Sequence, residues 1–212
     1  MGQIVAVAAS KGGVGKSTAA VQLAGAMGIK TIVDLDRHLC LAAINELRPE
    51  GMRWDVHSKL TAQKLKELIE SDVDMLIDCG GYDSNLIRAA IAYSDLVICP
   101  ANDDVTEIRG LIAFNDILGE IEREFELEAP LTAQVLMTRN HPSRRDFSRL
   151  TEVVSLLPKL NMMSSRLSRR ADYNTMMDNG LGVTERTATL HSEAGKEVAA
   201  FAAEVISLLN AR

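Results

Sequence analysis

Residues 9–18 read Ala-Ser-Lys-Gly-Gly-Val-Gly-Lys-Ser-Thr and directly follow an apolar run at residues 4–9. Residues with helical spacing continue over positions 18–27. Glycines let a backbone turn its N–H groups inward without Cβ clashes, and the N-terminus of a following helix carries partial positive charge. The succession of strand, glycine-rich loop, lysine, hydroxyl and helix therefore predicts a loop that binds phosphate groups.

The residue types of this loop indicate a nucleotide as its ligand. Lys16 would bring a mobile positive charge to the β- and γ-phosphates, and the Ser17 hydroxyl would bind Mg²⁺. The common form of the motif has glycine where this chain has Ser10, so the loop is a variant. The predicted nucleotide-binding residues of the loop are Lys11, Gly12, Gly13, Val14, Gly15, Lys16, Ser17 and Thr18.

The rest of the chain alternates short apolar runs with helical stretches. Further runs lie at residues 31–33, 75–77, 96–99 and 134–137. Short Val- and Ile-rich runs are typical of strands buried on both faces, and their alternation with helices predicts a parallel sheet covered by helices on both sides. The 212 residues contain no internal repeat and no Pro- or Ser-rich linker, so we expect one α/β domain over residues 1–212, doubly wound around a mostly parallel sheet.

The composition excludes several classes of protein. Lys and Arg total 23 against 29 Asp and Glu, a formal charge of -6, so the chain as a whole is not a nucleic-acid-binding polycation. The cysteines, Cys40, Cys79 and Cys99, form no CxxC pair, and we expect Cys79 and Cys99 to be buried as small apolar side chains. No apolar run approaches the roughly 20 residues needed to cross a bilayer, and the start lacks a signal-peptide pattern, so a cytoplasmic protein is expected.

Charge is distributed unevenly along the chain. Residues 103–128 carry nine acidic and two basic residues, which predicts a solvated acidic helix. Residues 139–170 carry eight basic and two acidic residues, a local charge of +6 that favours an anion-binding surface. The basic residues of this sector are Arg139, Arg144, Arg145, Arg149, Lys159, Arg166, Arg169 and Arg170.

A second lysine at the start of the loop, Lys11, has no necessary role in holding phosphate within its own chain. The string Lys-Gly-Gly-Val-Gly-Lys-Ser-Thr at residues 11–18 resembles the deviant Walker A loop of the ParA/MinD family of ATPases. In that family the first lysine crosses a dimer interface to the partner's nucleotide, and the resemblance assigns this role to Lys11. It thus implies a P-loop ATPase that forms a homodimer around ATP and Mg²⁺ and links dimer closure to hydrolysis.

The segment Val33-Asp34-Leu35-Asp36 is similar to the Asp-x-Asp segment of the same family. There the second aspartate helps to position the attacking water, so the resemblance makes Asp36, with Lys11 and Lys16, a candidate catalytic residue. The family usually continues with Pro-Gln, whereas this chain has Arg37-His38. The departure bears on the geometry of the loop and on turnover, and slow hydrolysis without a partner is expected.

Two other strand ends match the resemblance. Asp78 directly follows the run at residues 75–77, as a Walker B acid does, and would hold Mg²⁺ together with Ser17. Gly80 and Gly81 would then form a mobile loop that senses the γ-phosphate. Thr138 and Arg139 follow the run at residues 134–137, where the family commonly contacts the adenine edge.

The 212 residues leave no room for an additional N-terminal helix-turn-helix domain, and the chain therefore resembles the short, ParF-like plasmid-partition ATPases. Residues 165–185 look like the late segment of that subgroup. The resemblance implies an ATP-bound homodimer that associates with the nucleoid through nonspecific DNA, and a centromere-binding adaptor protein that stimulates hydrolysis. The candidate DNA-binding residues are Arg166, Arg169 and Arg170, with Arg144, Arg145 and Arg149 as a second cluster.

Three alternatives stay open. The basic sector could pair with an acidic helix of a neighbouring molecule. A membrane-positioning ATPase similar to MinD would need a lipid-binding C-terminal helix, but residues 191–212 have three glutamates against Lys196 and Arg212, so we expect a core-closing helix and no membrane contact. A biosynthetic enzyme similar to dethiobiotin synthetase would not need Lys11 across an interface, and the sequence shows no second set of acids and bases for its substrate.

Overall fold

The chain forms one parallel sheet in the computed structural model, which describes residues 2–81 and 83–211. Within these residues the strands are β1 (Ile4–Val7), β2 (Thr31–Asp34), β3 (Asp55–Ser58), β4 (Met75–Asp78), β5 (Leu96–Ala101), β6 (Ala133–Thr138) and β7 (Leu160–Leu167). Their order across the sheet is β3-β2-β4-β1-β5-β6-β7. The chain builds out on one side of β1 and then on the other, and such sheets bind ligands beyond the carboxyl ends of the strands where the order reverses.

Helices cover both faces of this sheet. They are α1 (Lys16–Met27), α2 (Cys40–Leu47), α3 (Ala62–Ile69), α4 (Asn85–Ala92), α5 (Val105–Glu124), α6 (Ser148–Ser155), α7 (Ala171–Met177), α8 (Thr187–Leu190) and α9 (Glu193–Asn210), with short 3-10 turns at Glu50–Met52 and Val183–Glu185. One face packs against α3 to α6, and the other packs against α1, α2, α7 and α9. Central strands are therefore buried on both sides and apolar at successive positions. The predicted doubly wound α/β domain is confirmed.

The five predicted strands are confirmed with small shifts of their ends. β1 ends at Val7, because Ala8 and Ala9 already belong to the loop that follows. β3 and β7 form the two edges of the sheet and were not predicted from the sequence. An edge strand has one neighbour and keeps part of its surface in water, so both strands carry polar residues that interrupt the apolar run.

The two longest helices agree with the predictions to different degrees. α9 is confirmed as a core-closing helix, since Phe201 and Val205 are fully buried, while Arg212 lies outside the described residues. α5 forms over the predicted acidic stretch, but Glu107 in its first turn is only 4% exposed, so the prediction of a solvated acidic helix is wrong at that residue. Across residues 2–81 and 83–211, no helix has the length and apolar character that crossing a bilayer requires.

The middle of β7 is irregular. Its pairing with β6 shifts between Val135 and Met137, and Ser164 and Ser165 fall in the irregular part. Their N–H groups donate to the Glu204 carboxylate on α9, both at 2.7 Å. One charged acceptor thus satisfies two edge amides and holds α9 over the edge strand.

Candidate nucleotide-binding site

The loop between β1 and α1 adopts the conformation that its glycines predict. Gly13 and Gly15 have φ values of +79° and +97°, in the left-handed region that glycine enters without strain. Gly15 immediately precedes α1, and no side chain caps the start of this helix. The first N–H groups of α1 therefore point into the loop and can bind an anion there.

A cavity of about 570 Å³ opens beyond this loop. Its volume is typical of sites that bind small molecules. The cavity brings six of the eight predicted loop residues together with Asp36 and Arg139, whereas Lys11 and Val14 do not line it. It also adds residues that were not assigned to the site from the sequence. The lining residues are Gly12, Gly13, Gly15, Lys16, Ser17, Thr18, Asp36, Arg37, His38, Cys40, Gly81 and Arg139.

Lys16 is the buried cation of this cavity. Lys16 is only 7% exposed, and its Nζ donates to the Lys11 carbonyl at 2.9 Å. A Cβ placed on Gly81 would lie 3.4 Å from Lys16 Nζ and 3.5 Å from the Gly12 nitrogen. The predicted γ-phosphate-sensing loop therefore lies directly against the phosphate loop.

Ser17 and Asp78 form the predicted pair of oxygen donors. Ser17 Oγ donates to Asp78 Oδ2 at 3.0 Å, and the parallel register places Asp78 level with Val7 at the end of β1. Burial raises the pKa of Asp78 to about 6, partly offset by the Ser17 hydrogen bond and the charge of Lys16. A hydroxyl and one carboxylate fit Mg²⁺, which commonly takes few protein ligands and completes its shell with phosphate and water.

The two aspartates at the end of β2 have different tasks: Asp34 is the last residue of the strand, and Asp36 lies in the loop that follows. Asp34 is fully buried, and its carboxylate accepts backbone N–H groups of Asp36, Leu41 and Ala42 at 2.9–3.1 Å. Burial still raises the pKa of Asp34 above its usual value. This carboxyl thus anchors the loop and the start of α2, a structural role that the sequence analysis did not assign.

Asp36 lies at the cavity, where the sequence analysis predicts it. Its Oδ1 accepts the His38 N–H at 2.8 Å. A Cβ on Gly80, which has a φ of +60°, would lie 3.0 Å from the Asp36 Cα and 3.2 Å from its Oδ2. Only glycine fits at that position, and the close approach couples Asp36 to the γ-phosphate-sensing loop.

Lys11 is bound within its own chain. Its Nζ lies 2.6 Å from Glu107 Oε1 and donates to Thr106 Oγ1 at 2.8 Å, so the first turn of α5 holds this lysine. The Lys11 side chain is 43% exposed, whereas the Glu107 side chain is 5% exposed. The predicted contact with a partner's nucleotide stays a prediction, and the contact with Glu107 is one that the sequence analysis missed.

Thr138 and Arg139 both contact the phosphate loop. The buried Thr138 Oγ1 lies 2.6 Å from the Val14 carbonyl and 3.2 Å from the Ala101 carbonyl, and its hydroxyl donates to them. The Arg139 guanidinium donates to the Gly13 carbonyl. The two side chains therefore support the loop from β6, and their predicted contact with adenine stays a prediction.

A second cavity of about 310 Å³ continues from the first. The two cavities share Gly15, Thr18 and Arg139. Ser168 lines the second cavity, is 1% exposed, and has an Oγ without a hydrogen-bond partner among the described residues. The full lining is Gly15, Thr18, Thr138, Arg139, Leu167, Ser168, Arg169, Arg170, Tyr173 and Asn174.

One wall of the second cavity is fixed by Glu197 of α9. This carboxylate accepts from Arg170, the Tyr173 hydroxyl and the Ser168 N–H at 2.8–2.9 Å. Burial pushes the pKa of Glu197 upward, but these donors outweigh it and hold the pKa below its usual value. Burial also raises the pKa of Tyr173. This wall of the second cavity is therefore a polar surface whose side chains are tied together by hydrogen bonds.

The candidate DNA-binding arginines fall into two groups. Arg169 and Arg170 line the second cavity. The other four belong to the loop before α6, to α6 itself and to β7, and we call them, with Phe147, the arginine face. Its arginines are Arg144, Arg145, Arg149 and Arg166.

Phe147 organises the arginine face. The guanidinium groups of Arg144 and Arg166 lie 5.7 Å and 5.5 Å from the centroid of its ring. Arg145 and Arg149 are exposed. Arg144 also pairs with Asp103 at 2.6 Å. The structure thus supports one compact cationic surface outside the nucleotide site.

The cysteines confirm one prediction and add a cavity residue. Cys79 and Cys99 are buried, and burial raises the pKa of the Cys99 thiol to about 12. Cys40 is partly exposed and lines the first cavity. Desolvation raises the pKa of Cys40 as well, so this thiol is not activated.

The parallel sheet, the glycine-rich loop between β1 and α1, and the Ser17–Asp78 pair define a P-loop nucleotide-binding protein. No family model matches the chain. The ParA protein of Rhizobium radiobacter is 27% identical over 205 residues, which cover 92% of this chain and 87% of that protein. The predicted resemblance to the ParA/MinD family of ATPases is confirmed.

Solved structures share the fold of this chain. A Borrelia burgdorferi B31 protein described as a plasmid partition protein, bound to AMPPNP, has a TM-score of 0.68 at 18% identity, with 98% of this chain and 99% of that chain covered. MinD from Pyrococcus horikoshii OT3, complexed with Mg-ADP, has a TM-score of 0.69 at 17% identity, with 98% and 97% covered. At these identities the structures establish the shared fold.

Proposed function

We propose that this protein is an ATP-driven switch that partitions DNA. ATP and Mg²⁺ bring two copies together, the dimer binds DNA without sequence preference, and an adaptor bound to a centromere-like site stimulates hydrolysis and release. The observation that carries the proposal is the division of labour between two lysines of one loop. Lys16 is buried in the cavity, whereas the Lys11 side chain is 43% exposed and turns to Glu107 of α5.

The two cavities together fit a nucleoside triphosphate. The loop amides and Lys16 would hold the phosphates, and the second cavity, with its buried Ser168 hydroxyl, would take the nucleoside. Mg²⁺ held by Ser17 and Asp78 would neutralise charge on the phosphate oxygens. Asp36 would orient the attacking water, because its carboxylate lies at the cavity beside Gly80.

Dimerisation would exchange one partner of Lys11 for another. Within one chain the lysine is paired with Glu107, and in the dimer it would reach the phosphates bound by the partner. ATP can shift this equilibrium only if it binds the dimer more tightly than the single chain. A cation supplied across the interface provides that difference, because it adds charge neutralisation that only the dimer has.

The arginine face supplies the chemistry for DNA. Four arginines suffice for several phosphate contacts without base readout, and a dimer doubles their number. Phosphate contacts of this kind make attachment salt-sensitive and mobile. The complex is expected to be nucleoid-associated in its ATP form and cytoplasmic otherwise.

A sizing experiment tests the proposal. The protein is run with ADP and with a non-hydrolysable ATP analogue, each with and without nonspecific duplex DNA. We expect a dimer that captures DNA with the analogue only. A monomer that ignores the nucleotide would contradict the switch and favour a metabolic P-loop enzyme.

The likeness to MinD favours a second candidate, a membrane-positioning ATPase. α9 argues against a lipid-binding C-terminal helix, because it is packed into the core and its Glu197 and Glu204 are hydrogen-bonded within the protein. Vesicles of anionic lipid in the same sizing run discriminate the two. Capture by vesicles instead of DNA would support the membrane candidate.

A further inference from the structure

One short segment, residues 103–107 at the start of α5, contacts both the phosphate loop and the arginine face. At one end, Glu107 and Thr106 hold Lys11 Nζ at 2.6 Å and 2.8 Å. At the other end, Asp103 Oδ2 lies 2.6 Å from Nη2 of Arg144. We call residues 103–107 the bridging segment, since Asp103 and Glu107, which make its two ionic contacts, are four positions apart.

The contact at Glu107 makes the bridging segment sensitive to Lys11. The Glu107 side chain is 5% exposed, and a buried carboxylate without a cation is costly. If Lys11 moves to the nucleotide of a partner, Glu107 has to find water or another donor. Loss of the Lys11 contact would therefore favour a different position of the first turn of α5. The bridging segment would then have two arrangements, with and without the Lys11 contact, and the nucleotide could select between them.

The contact at Asp103 keeps one arginine of the arginine face occupied. The Asp103 side chain is 11% exposed and that of Arg144 is 50% exposed, so the pair lies at the edge of solvent. A DNA phosphate would have to compete with this carboxylate for the same guanidinium. The negative charge also lowers the potential of the neighbouring arginines toward DNA.

We propose that Asp103 inhibits DNA binding by pairing with Arg144, and that release of Lys11 from Glu107 relieves the inhibition through the bridging segment. The inference rests on the proposed function, because it explains how closure around ATP would increase affinity for DNA. Asp103 acts here as a positioning residue that controls Arg144. The exchange involves ion pairs only, and no covalent step is needed.

The test compares Asp103→Asn with Asp104→Asn. Both variants remove one negative charge, but Asp104 is exposed and its side chain does not cap α5. Binding of a nonspecific DNA duplex is measured in ADP and in the ATP analogue over a range of salt concentrations. We expect Asp103→Asn to bind DNA in ADP about tenfold more tightly than the unaltered chain, and Asp104→Asn to stay within about twofold of it.

The salt dependence separates release of Arg144 from a general change of charge. The slope of log K against log salt counts phosphate contacts, so Asp103→Asn in ADP should gain about one contact per subunit. Equal ADP affinity of both variants and the unaltered chain, measured by calorimetry, shows that the fold and nucleotide site are intact.

Glu107→Gln gives an independent readout. This variant weakens the hold on Lys11 while keeping the size of the side chain, so DNA binding in ADP should also rise, but less than in Asp103→Asn. Equal gains in Asp103→Asn and Asp104→Asn, or no gain in Asp103→Asn, would overturn the inference and leave the proposed function intact. If the unaltered chain fails to bind DNA in the ATP analogue, the proposed function is wrong and the inference falls with it.

Discussion

The phosphate cavity and the arginine face are built in opposite ways. Lys16 and Asp78 are buried at the cavity and fixed by hydrogen bonds, from the Lys16 ammonium to the Lys11 carbonyl and from the Ser17 hydroxyl to the Asp78 carboxylate. The arginine face is largely exposed, and its contacts include an ion pair with Asp103 and ring contacts with Phe147. The cavity fixes the positions of single atoms, whereas the arginine face concentrates positive charge on the surface.

This difference predicts two kinds of response to mutation. Loss of one fixed group of the phosphate loop should slow or weaken a step by a large factor, because no neighbour can take its place. Loss of one arginine should weaken binding by a factor, because phosphate contacts contribute separately and are screened by salt. Four predictions test the contrast, beginning with the largest effect.

Replacement of Lys11 by alanine should lower ATP hydrolysis by about a thousandfold, the order found for cations supplied in trans. ATP affinity should change by less than about threefold, since Lys16 remains in the cavity. Phosphate release and calorimetry measure the two quantities. Lys30→Ala, at an exposed residue outside both cavities, is the matched control. Normal hydrolysis in Lys11→Ala would contradict the proposal that Lys11 acts on the nucleotide of the partner.

Replacement of Lys16 by alanine should weaken ATP binding itself, by about a hundredfold, because a charge-assisted contact to phosphate is lost in a buried site. Calorimetric titration with ATP gives the affinity, and circular dichroism shows whether the fold persists. DNA binding should fall in parallel to the level seen with ADP, since tight binding requires the ATP form. Unchanged ATP affinity would contradict the assignment of the loop.

The double variant Arg145→Glu with Arg149→Glu should bind DNA about tenfold less tightly at low salt, with a shallower salt dependence and unchanged ATP affinity. Lys64→Glu with Lys66→Glu is the matched control. It makes the same change of charge at exposed residues on α3. An equal loss in the control would show that net charge, and not the arginine face, governs DNA binding.

Arg169→Ala should have the smallest effect, and it tests whether Arg169 belongs to the nucleotide cavities or to the DNA-binding surface. Because Arg169 lines the second cavity, we expect ATP affinity to fall by about threefold and DNA affinity to stay within about twofold. Competition with ADP and DNA titration give the two values. A loss of DNA affinity as large as that of the Arg145 and Arg149 double variant would show that Arg169 belongs to the DNA-binding surface.

The sequence predicts the cavity well because its chemistry is local. Asp36 lies two residues after β2 and Asp78 is the last residue of β4, and the parallel arrangement brings such strand ends to one edge of the sheet. The loop residues are contiguous, so their order alone indicates phosphate binding. Cys40 and Asp34 had no predicted role at this site, since neither a half-buried thiol nor a buried anchoring carboxylate forms a sequence motif.

The edges and the long-range ion pairs could not be predicted in the same way. β3 and β7 are half exposed, so polar residues break their apolar runs. Lys11 and Glu107 are 96 positions apart, and pairs of polar residues at such a distance have no periodic pattern. The six candidate arginines formed one sector along the sequence, and only the fold separated Arg169 and Arg170 from the rest.

The hydrogen bonds from Ser164 and Ser165 to Glu204 have a consequence for assembly into filaments. An outer strand with unsatisfied amides is a template on which another molecule can add its own strand. Here a carboxylate already occupies two of those amides, and its charge repels an incoming backbone carbonyl. Polymers that grow by stacking sheets edge to edge would first have to displace Glu204, so ordered arrays of this protein are expected to propagate through other surfaces.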